Sequence, residues 1–154
     1  RTTHKGTTRA MALMRPDKKV IVIDGDGSLL MRMGSLSTNA SYGPENLLHI
    51  VLDNGIHDST GGQDTSSGNV SFVDVAAACG YRKVFFAHDL KELENYIQHW
   101  KKNQSLTFIY FKITKGTSES LGRPKIKPYE VKNRLMAFLQ EHELPLLKEG
   151  KSYG

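Results

Sequence analysis

The chain has 154 residues, of which 38% are hydrophobic and 24% are charged, values typical of one globular domain with its own core rather than of a disordered segment. Its net charge of +5 comes from scattered basic residues without the interleaved aromatics of a nucleic-acid surface, so we expect no nucleic-acid partner and tolerance of an anionic substrate. No apolar run approaches the roughly 18 residues of a membrane span, and the single Cys79 excludes an internal disulfide and suits the cytoplasm.

Four short apolar runs predict strands of a parallel sheet that are buried on both faces. They cover residues 20–23, 47–52, 84–87 and 106–113. Helical patterns fill the intervals, over residues 7–14, from Ser28 to about Asn39, over 72–79, after Asp89 and from Pro128. Ser71 is predicted to cap the third helix and Gly80 to end it. The apolar stripes expected to face the core are Leu90, Leu93, Ile97 and Trp100 after Asp89, and Val131, Leu135, Phe138 and Leu139 after Pro128.

Strands that alternate with helices predict an α/β fold, a three-layer domain with a doubly wound, mostly parallel sheet. We assign residues 1–141 to this domain, with a polar loop at 114–127, and residues 142–154 to a C-terminal tail. Because the chain opens at Arg1 without an initiating Met, we expect it to be a fragment or a processed piece.

Two polar segments follow the first two predicted strands, where this fold binds its ligands. They are Asp24-Gly25-Asp26-Gly27-Ser28 and Asp53-Asn54-Gly55-Ile56-His57. Gly25 and Gly27 allow a sharp turn, and Ser28 is expected to cap a helix whose free N–H groups suit a diphosphate. The carboxylate of Asp26 and the amide oxygen of Asn54 are hard ligands of the kind that Mg²⁺ prefers. We therefore predict that these two side chains converge on one metal ion.

A strand that ends in Gly-Asp-Gly, followed after the next strand by Asn, resembles the motif of thiamine-diphosphate enzymes. The resemblance implies that Asp26 and Asn54 bind Mg²⁺ through their side chains and that Ile56 binds it through its backbone carbonyl. It also implies that the chain is a diphosphate-binding domain, N-terminally truncated relative to the family. The residues expected to contact the cofactor are Gly25, Asp26, Gly27, Ser28, Asn54, Ile56 and His57.

Residues 29–34, 54–63 and 121–124 resemble more narrowly the phosphonopyruvate decarboxylases, and the similarity extends over about residues 14–139. What this implies is decarboxylation of phosphonopyruvate to phosphonoacetaldehyde and carbon dioxide. Beta-type subunits of sulfopyruvate decarboxylase share much of the pattern, so the substrate stays open. A non-catalytic assembly module that keeps the fold is a further alternative. A flavodoxin-like phosphate site is disfavoured, because it would not need the metal ligands Asp26 and Asn54.

Thiamine enzymes activate the cofactor with a Glu from a pyrimidine-binding domain, and none of the Glu residues here lies in a matching motif. The resemblance therefore implies a partner domain or subunit, a homo- or hetero-oligomer, and no decarboxylation by these 154 residues alone. His57 is the catalytic candidate, by proton transfer, against a role in orienting its loop. Ser59 and Thr60 are candidates for binding the substrate, against capping a short turn.

The remaining histidines show no spacing typical of a metal site. We interpret them as surface or strand-end residues: His4, His49, His88, His99 and His142. Arg123, in the segment Leu-Gly-Arg-Pro, is interpreted as structural or as part of an interface.

Overall fold

The computed structural model describes residues 4–116, 122 and 125–140, and the chain divides into two compact units, Arg1–Thr117 and Ser118–Gly154. The described elements of the first unit are α1 (His4–Met14), β1 (Val20–Gly25), α2 (Asp26–Met31), α3 (Ser35–Tyr42), β2 (Leu47–Asp53), β3 (Ile56–His57), β4 (Gln63–Asp64), α4 (Phe72–Cys79), β5 (Lys83–Ala87), α5 (Leu90–Lys102) and β6 (Thr107–Lys112). The second unit contains α6 (Pro128–Gln140). The predicted tail and Arg123 lie outside the described residues, and the predicted boundary at residue 141 stays a prediction.

The main sheet has four parallel strands in the order β1-β2-β6-β5, which confirms the predicted α/β class. The central strands β2 and β6 are buried along almost their whole length. The sequence predicted that β1 is also buried on both faces. This prediction is wrong, because Ile21 and Ile23 are 45% and 64% exposed. The reason is position: β1 is an edge strand, and the helix on that face, α5, packs on β5 and β6.

Two apolar clusters lie on opposite faces of the sheet and make three layers. On one face, side chains of β2 and β6 pack with α2, α3 and α4 around Leu36 and Phe72. On the other face, alternate side chains of the same two strands pack against α5 around Trp100. A central strand can supply both clusters because successive side chains point to opposite faces. The three-layer arrangement predicted from the alternation of elements is confirmed.

The helix caps predicted from sequence are present at α4 and α5. Ser71 Oγ accepts a hydrogen bond from the Asp74 amide at 3.4 Å, and Gly80 ends α4 with a positive φ of 100°, a conformation that favours glycine. Asp89 Oδ1 accepts a hydrogen bond from the Glu92 amide at 2.7 Å. These caps confirm that α4 and α5 begin where short-range sequence patterns predict.

Three helical predictions need correction. The helix expected to run from Ser28 to about Asn39 is two helices, α2 and α3, because i→i+3 hydrogen bonds to the carbonyls of Leu29 and Arg32 tighten the chain between them. Leu90, expected on the core stripe of α5, is 73% exposed, because it occupies the first position of the helix. The apolar stripe predicted on α6 is not buried either, because α6 contains no buried residue.

Candidate functional site

A cleft of about 560 Å³ opens at the carboxyl ends of β1 and β2. These ends lie side by side because Gly25 pairs with Leu52 in parallel register. All the residues predicted to contact the cofactor line this one cleft. Its lining comprises Ile23, Asp24, Gly25, Asp26, Gly27, Ser28, Met31, Leu52, Asn54, Ile56, His57, Asp58 and Ile113.

The turn from β1 into α2 places Asp26 at the base of the cleft. Asp26 begins α2 directly after the extended Gly25 (φ −83°, ψ 158°) and is only 2% exposed. The prediction that Ser28 caps this helix is wrong, since α2 has no side-chain cap. Ser28 Oγ instead donates a hydrogen bond to Asp24 Oδ1 at 3.2 Å. The reason is that α2 begins two residues before Ser28, so that this side chain already lies inside the helix.

The turn after β2 brings Asn54 to the same cleft. Gly55 adopts a positive φ of 71°, which only glycine adopts at little cost. Asn54 Oδ1 accepts a hydrogen bond from the Ile56 amide at 3.2 Å, and its Nδ2 donates to Asp58 Oδ2 at 3.1 Å. The side chain of Asn54 is therefore held at both ends of its amide group.

His57 packs directly on the backbone of Gly27. A Cβ atom added at Gly27 would lie 2.5 Å from His57 Cε1 and 2.7 Å from Nδ1, closer than real Cβ contacts allow. A side chain at position 27 would therefore require the imidazole ring to shift, and the constraint does not come from an unusual backbone angle. This contact joins the two polar segments that the sequence singled out.

The two candidate substrate-binding residues lie in the single 3₁₀ turn Asp58–Thr60 that follows β3. Thr60 is exposed, and its hydroxyl donates to the His57 carbonyl at 3.3 Å. That hydrogen bond has the geometry of a side chain closing a short turn. The side chain of Ser59 lies outside the described part of the chain, and the role of both residues stays a prediction.

Asp53 is a buried hydrogen-bond centre beneath the cleft that sequence reasoning missed. It is 5% exposed, and its Oδ1 accepts from the Gly55 amide at 2.8 Å and from Ser67 Oγ at 3.0 Å. Tyr110 Oη donates to Oδ2 at 2.5 Å. Burial, aided by the carboxylate of Asp53, raises the pKa of Tyr110 and keeps it a donor. A carboxylate at the end of a mostly apolar strand was the one indication of this role in the sequence.

His49 was interpreted as a surface or strand-end residue, and this is wrong, because it is 1% exposed within β2. Its Nε2 lies 2.9 Å from Asp24 Oδ2, and its Nδ1 lies 3.1 Å from the hydroxyl of Tyr81. Asn39 donates to the same hydroxyl at 3.1 Å. These contacts supply the polar partners that a buried imidazole needs. Asp24, at the rim of the cleft, is thereby tied to the core.

The donor oxygens at this edge of the sheet are of the chemical type that Mg²⁺ prefers. Among the described residues, no group of three or more His, Cys, Asp or Glu side chains is arranged to hold a metal. The predicted set is of a different kind, with one carboxylate from Asp26, one amide oxygen from Asn54 and one backbone carbonyl from Ile56. Mg²⁺ accepts such sparse protein ligation, because phosphate oxygens and water complete its octahedral shell.

The sequence of the first unit matches a known protein family. Residues 6–111 match the family described as thiamine pyrophosphate enzyme, C-terminal TPP binding domain. The chain belongs to the thiamine pyrophosphate enzyme family. The match ends within β6 and includes both polar segments of the cleft. Thiamine pyrophosphate and thiamine diphosphate are two names for the same compound, so the family expected from the sequence is confirmed.

Relatives of this thiamine pyrophosphate domain include two kinds of decarboxylase. The chain is 47% identical to phosphonopyruvate decarboxylase of Streptomyces hygroscopicus over 85% of its own length and 32% of that protein. It is 36% identical to sulfopyruvate decarboxylase subunit beta of Methanocaldococcus jannaschii, over 78% of the chain and 63% of that subunit. The chain thus spans about a third of the length of the first relative.

Solved structures of thiamine enzymes share the fold. A protein from Mycobacterium smegmatis described as a thiamin diphosphate-dependent enzyme superposes with a TM-score of 0.60 at 18% identity, over 75% of this chain and 22% of that one. Transketolase from Campylobacter jejuni superposes with a TM-score of 0.51 at 20% identity, over 72% of this chain and 18% of that one.

Helices long and apolar enough to cross a membrane are absent from the part of the chain that the structure describes.

Proposed function

We propose that this chain binds the diphosphate of thiamine diphosphate through Mg²⁺, within a cytoplasmic enzyme that decarboxylates phosphonopyruvate. One observation carries the proposal: in a domain of this family, the side chains of Asp26 and Asn54 line one cleft at the paired ends of two parallel strands. The identity of 47% with a phosphonopyruvate decarboxylase supports the choice of substrate.

Asp26, Asn54 and the backbone carbonyl of Ile56 would hold the metal. Asn54 Oδ1 already accepts one hydrogen bond, from the Ile56 amide, and an amide oxygen has a second lone pair for a cation. Three carboxylates line the cleft, those of Asp24, Asp26 and Asp58. A divalent cation is therefore needed before a diphosphate and an anionic substrate can approach favourably.

The backbone at the start of α2 would receive the diphosphate. Gly25 leaves open space, since an added Cβ would meet nothing nearer than the Leu52 carbonyl at 4.0 Å, and the first N–H groups of a helix favour an anion. When bound, the cofactor would supply a nucleophilic carbanion and a sink for the electron pair that stays on the substrate when carbon dioxide leaves. This chain's part is to bind, to orient and to exclude water.

Contact with the phosphonate is assigned to the segment after β2. His57 lines the cleft, and an imidazole is suited to hold or transfer a proton near neutral pH. The hydroxyls of Ser59 and Thr60, in the turn that follows, are donors of the kind that bind phosphonate oxygens, and Thr60 would exchange its hydrogen bond to the His57 carbonyl for one to the phosphonate.

The enzyme needs a second kind of domain. Activation of the cofactor by a Glu is assigned to a pyrimidine-binding domain or subunit, which fits the 32% share of the phosphonopyruvate decarboxylase that this chain spans. We therefore expect a homo- or hetero-oligomer, and no turnover by these residues without that domain. Turnover of phosphonopyruvate by the isolated 154 residues would contradict this part of the proposal.

Sulfopyruvate is the second candidate substrate, because the chain is 36% identical to a subunit beta over 63% of that subunit. Phosphonate and sulfonate are both tetrahedral anionic groups, which one set of hydroxyl donors can bind. A direct comparison of phosphonopyruvate, sulfopyruvate and pyruvate as substrates of the complete native protein separates the two activities. An assembly module would form the complex and turn over none of the three.

The test of the cofactor site compares Asp26→Ala and Asn54→Ala with matched substitutions at exposed residues, Asp74→Ala and Asn95→Ala. We expect the first pair to lose Mg²⁺-dependent binding of thiamine diphosphate, measured by calorimetry on the complete protein, and the second pair to keep it. Binding that is equal in all four variants, or absent from the native protein, would rule out the proposed site.

A further inference from the structure

The segment after β4 returns beside the cleft, and two of its hydroxyl groups donate hydrogen bonds to Asp26 and Asp53. The Thr65 amide donates to the Gly55 carbonyl at 2.8 Å, which brings Thr65 back beside the turn after β2. Thr65 Oγ1 then donates a hydrogen bond to Asp26 Oδ2. Two residues later, Ser67 Oγ donates to Asp53 Oδ1 at 3.0 Å. One short segment therefore contacts the carboxylate that directly follows β1 and the carboxylate that ends β2.

The carboxylates of Asp53 and Asp26 differ in how many of their oxygens accept hydrogen bonds. Asp53 accepts hydrogen bonds on both oxygens, from Gly55, Ser67 and Tyr110. Asp26 accepts one from Thr65 on Oδ2, and no described residue donates to its Oδ1. Asp26 lines the cleft, so its Oδ1 is the oxygen left for a ligand, while Oδ2 is held by the protein.

Thr65 is itself held in place on two sides. Its Oγ1 accepts a hydrogen bond from the Ser67 amide at 3.4 Å, which caps the 3₁₀ turn Ser66–Asn69. Ser67 is 6% exposed and is bound to Asp53, which Tyr110 holds from β6. Hydrogen bonds thus connect Asp26 through Thr65 and Ser67 to Asp53 at the end of β2. Fixed partners of this kind orient metal ligands, and their loss typically costs about 10- to 100-fold in metal affinity.

We propose that Thr65 is a positioning residue for the metal site: its hydroxyl orients the carboxylate of Asp26 so that the other oxygen faces the cation. The inference rests on the proposed function. It assigns a role in metal affinity to a residue outside both polar segments of the sequence. Ser67 and Asp53 hold Thr65 in place and do not themselves contact the cation.

The experiment measures binding of Mn²⁺, as a paramagnetic substitute for Mg²⁺, to the complete native protein with thiamine diphosphate present. Free Mn²⁺ is read from its electron paramagnetic resonance signal, which needs no turnover. The variants are Thr65→Val, which has the same shape without the hydroxyl, and Thr65→Ser, which keeps the hydroxyl. Thr38→Val is the matched control, because the Thr38 hydroxyl donates to the Gly34 carbonyl at 3.2 Å at an exposed position of α3 that does not line the cleft.

We expect Thr65→Val to weaken Mn²⁺ binding by about tenfold or more, and Thr65→Ser and Thr38→Val to stay within about threefold of the native protein. Unchanged or tighter binding in Thr65→Val would overturn the inference, and so would equal weakening in Thr65→Ser, because the methyl group would then be responsible. Should Val at this position prevent folding, Thr65→Ala removes the same hydroxyl and is judged by the same criterion.

Failure of the proposed function gives a different result. If the native protein binds no Mn²⁺ with thiamine diphosphate, or if Asp26→Ala binds it equally well, the metal site itself is wrong. If the native protein binds the metal and only Thr65→Val has no effect, the site stands and the role of Thr65 is wrong.

Discussion

At the scale of single residues, the contact between Gly27 and His57 is the tightest constraint on the cleft. Gly27 lies in α2, where glycine is unfavourable by about 1 kcal/mol relative to alanine, yet a Cβ there would lie 2.5 Å from the imidazole. Glycine at position 27 lowers helix propensity but allows the imidazole of His57 to lie close to the backbone. The ring is consequently held over the start of the helix.

Gly27→Ala tests this constraint. We expect a loss of about 1–2 kcal/mol in the free energy of unfolding, since overpacking of about 1–3 kcal/mol exceeds the gain in helix propensity. The measurement is urea denaturation. Gly34→Ala is the control, because a Cβ at Gly34 would meet nothing within 4 Å. Equal stability of the two variants would mean that His57 moves aside without cost.

Tyr81 makes the free energy of unfolding depend on pH in the alkaline range. Burial raises the pKa of this phenol above its usual 10.0, so the folded protein retains a proton that the unfolded chain loses. The contribution of Tyr81 to the free energy of unfolding is therefore complete below about pH 10. Above that pH it declines by up to about 1.4 kcal/mol per pH unit. We expect Tyr81→Phe to flatten the decline measured by urea denaturation between pH 9 and pH 11 (roughly one unit either side of that pKa).

The control for that titration is Tyr42→Phe, because Tyr42 is 60% exposed. We expect its pH dependence to follow that of the native protein. The slope with pH is the quantity compared, since Tyr81→Phe also removes hydrogen bonds and lowers stability at every pH. A slope unchanged in Tyr81→Phe would show that other groups govern alkaline unfolding.

At the scale of elements, α5 depends on its first turn. Asp89 Oδ1 accepts from the Glu92 amide at 2.7 Å, and Glu92 Oε2 accepts from the His88 amide at 2.9 Å. These bonds satisfy donors that a helix start would otherwise leave unpaired. The helix matters because its Trp100 fills one of the two apolar clusters.

Asp89→Ala is expected to lower the free energy of unfolding by about 1 kcal/mol, because the N-cap hydrogen bond is lost. Asp89→Asn keeps an acceptor oxygen and should lose much less. Glu94→Ala, at an exposed position of the same helix, controls for loss of charge. A loss equal in Asp89→Asn and Asp89→Ala, measured by urea denaturation, would assign the effect to charge instead of capping.

At the scale of the whole molecule, ligand binding and stability should be linked. If the proposed function is right, thiamine diphosphate and Mg²⁺ together at 100 times the dissociation constant stabilise the complete protein by about 2.7 kcal/mol. Thermal unfolding with and without EDTA measures this. We expect EDTA to abolish the effect of thiamine diphosphate, and an upward shift that survives EDTA would argue against a metal-mediated site.

Much of the fold and the composition of the cleft followed from the sequence, because the patterns responsible are local. The apolar runs of β2 and β6 report burial on both faces, and the caps at Ser71 and Asp89 act within three residues. The placement of Asp26 and Asn54 at one cleft was accessible for a related reason. Parallel strands that are neighbours in the chain bring their carboxyl ends together, so polar residues after each strand meet.

Tertiary structure decided what depends on contacts between distant segments. Whether β1 lay at the edge, and whether His49 faced Tyr81, could not be read from spacing, because both depend on strand order. The role of Thr65 is of the same kind, since its hydroxyl reaches Asp26 only after the chain has turned back beside Gly55. The sequence by itself determined the family, the α/β class and the two polar segments that meet at the cleft. Only the folded chain decided which buried partners orient them, because hydrogen bonds across 39 residues leave no periodic trace in the sequence.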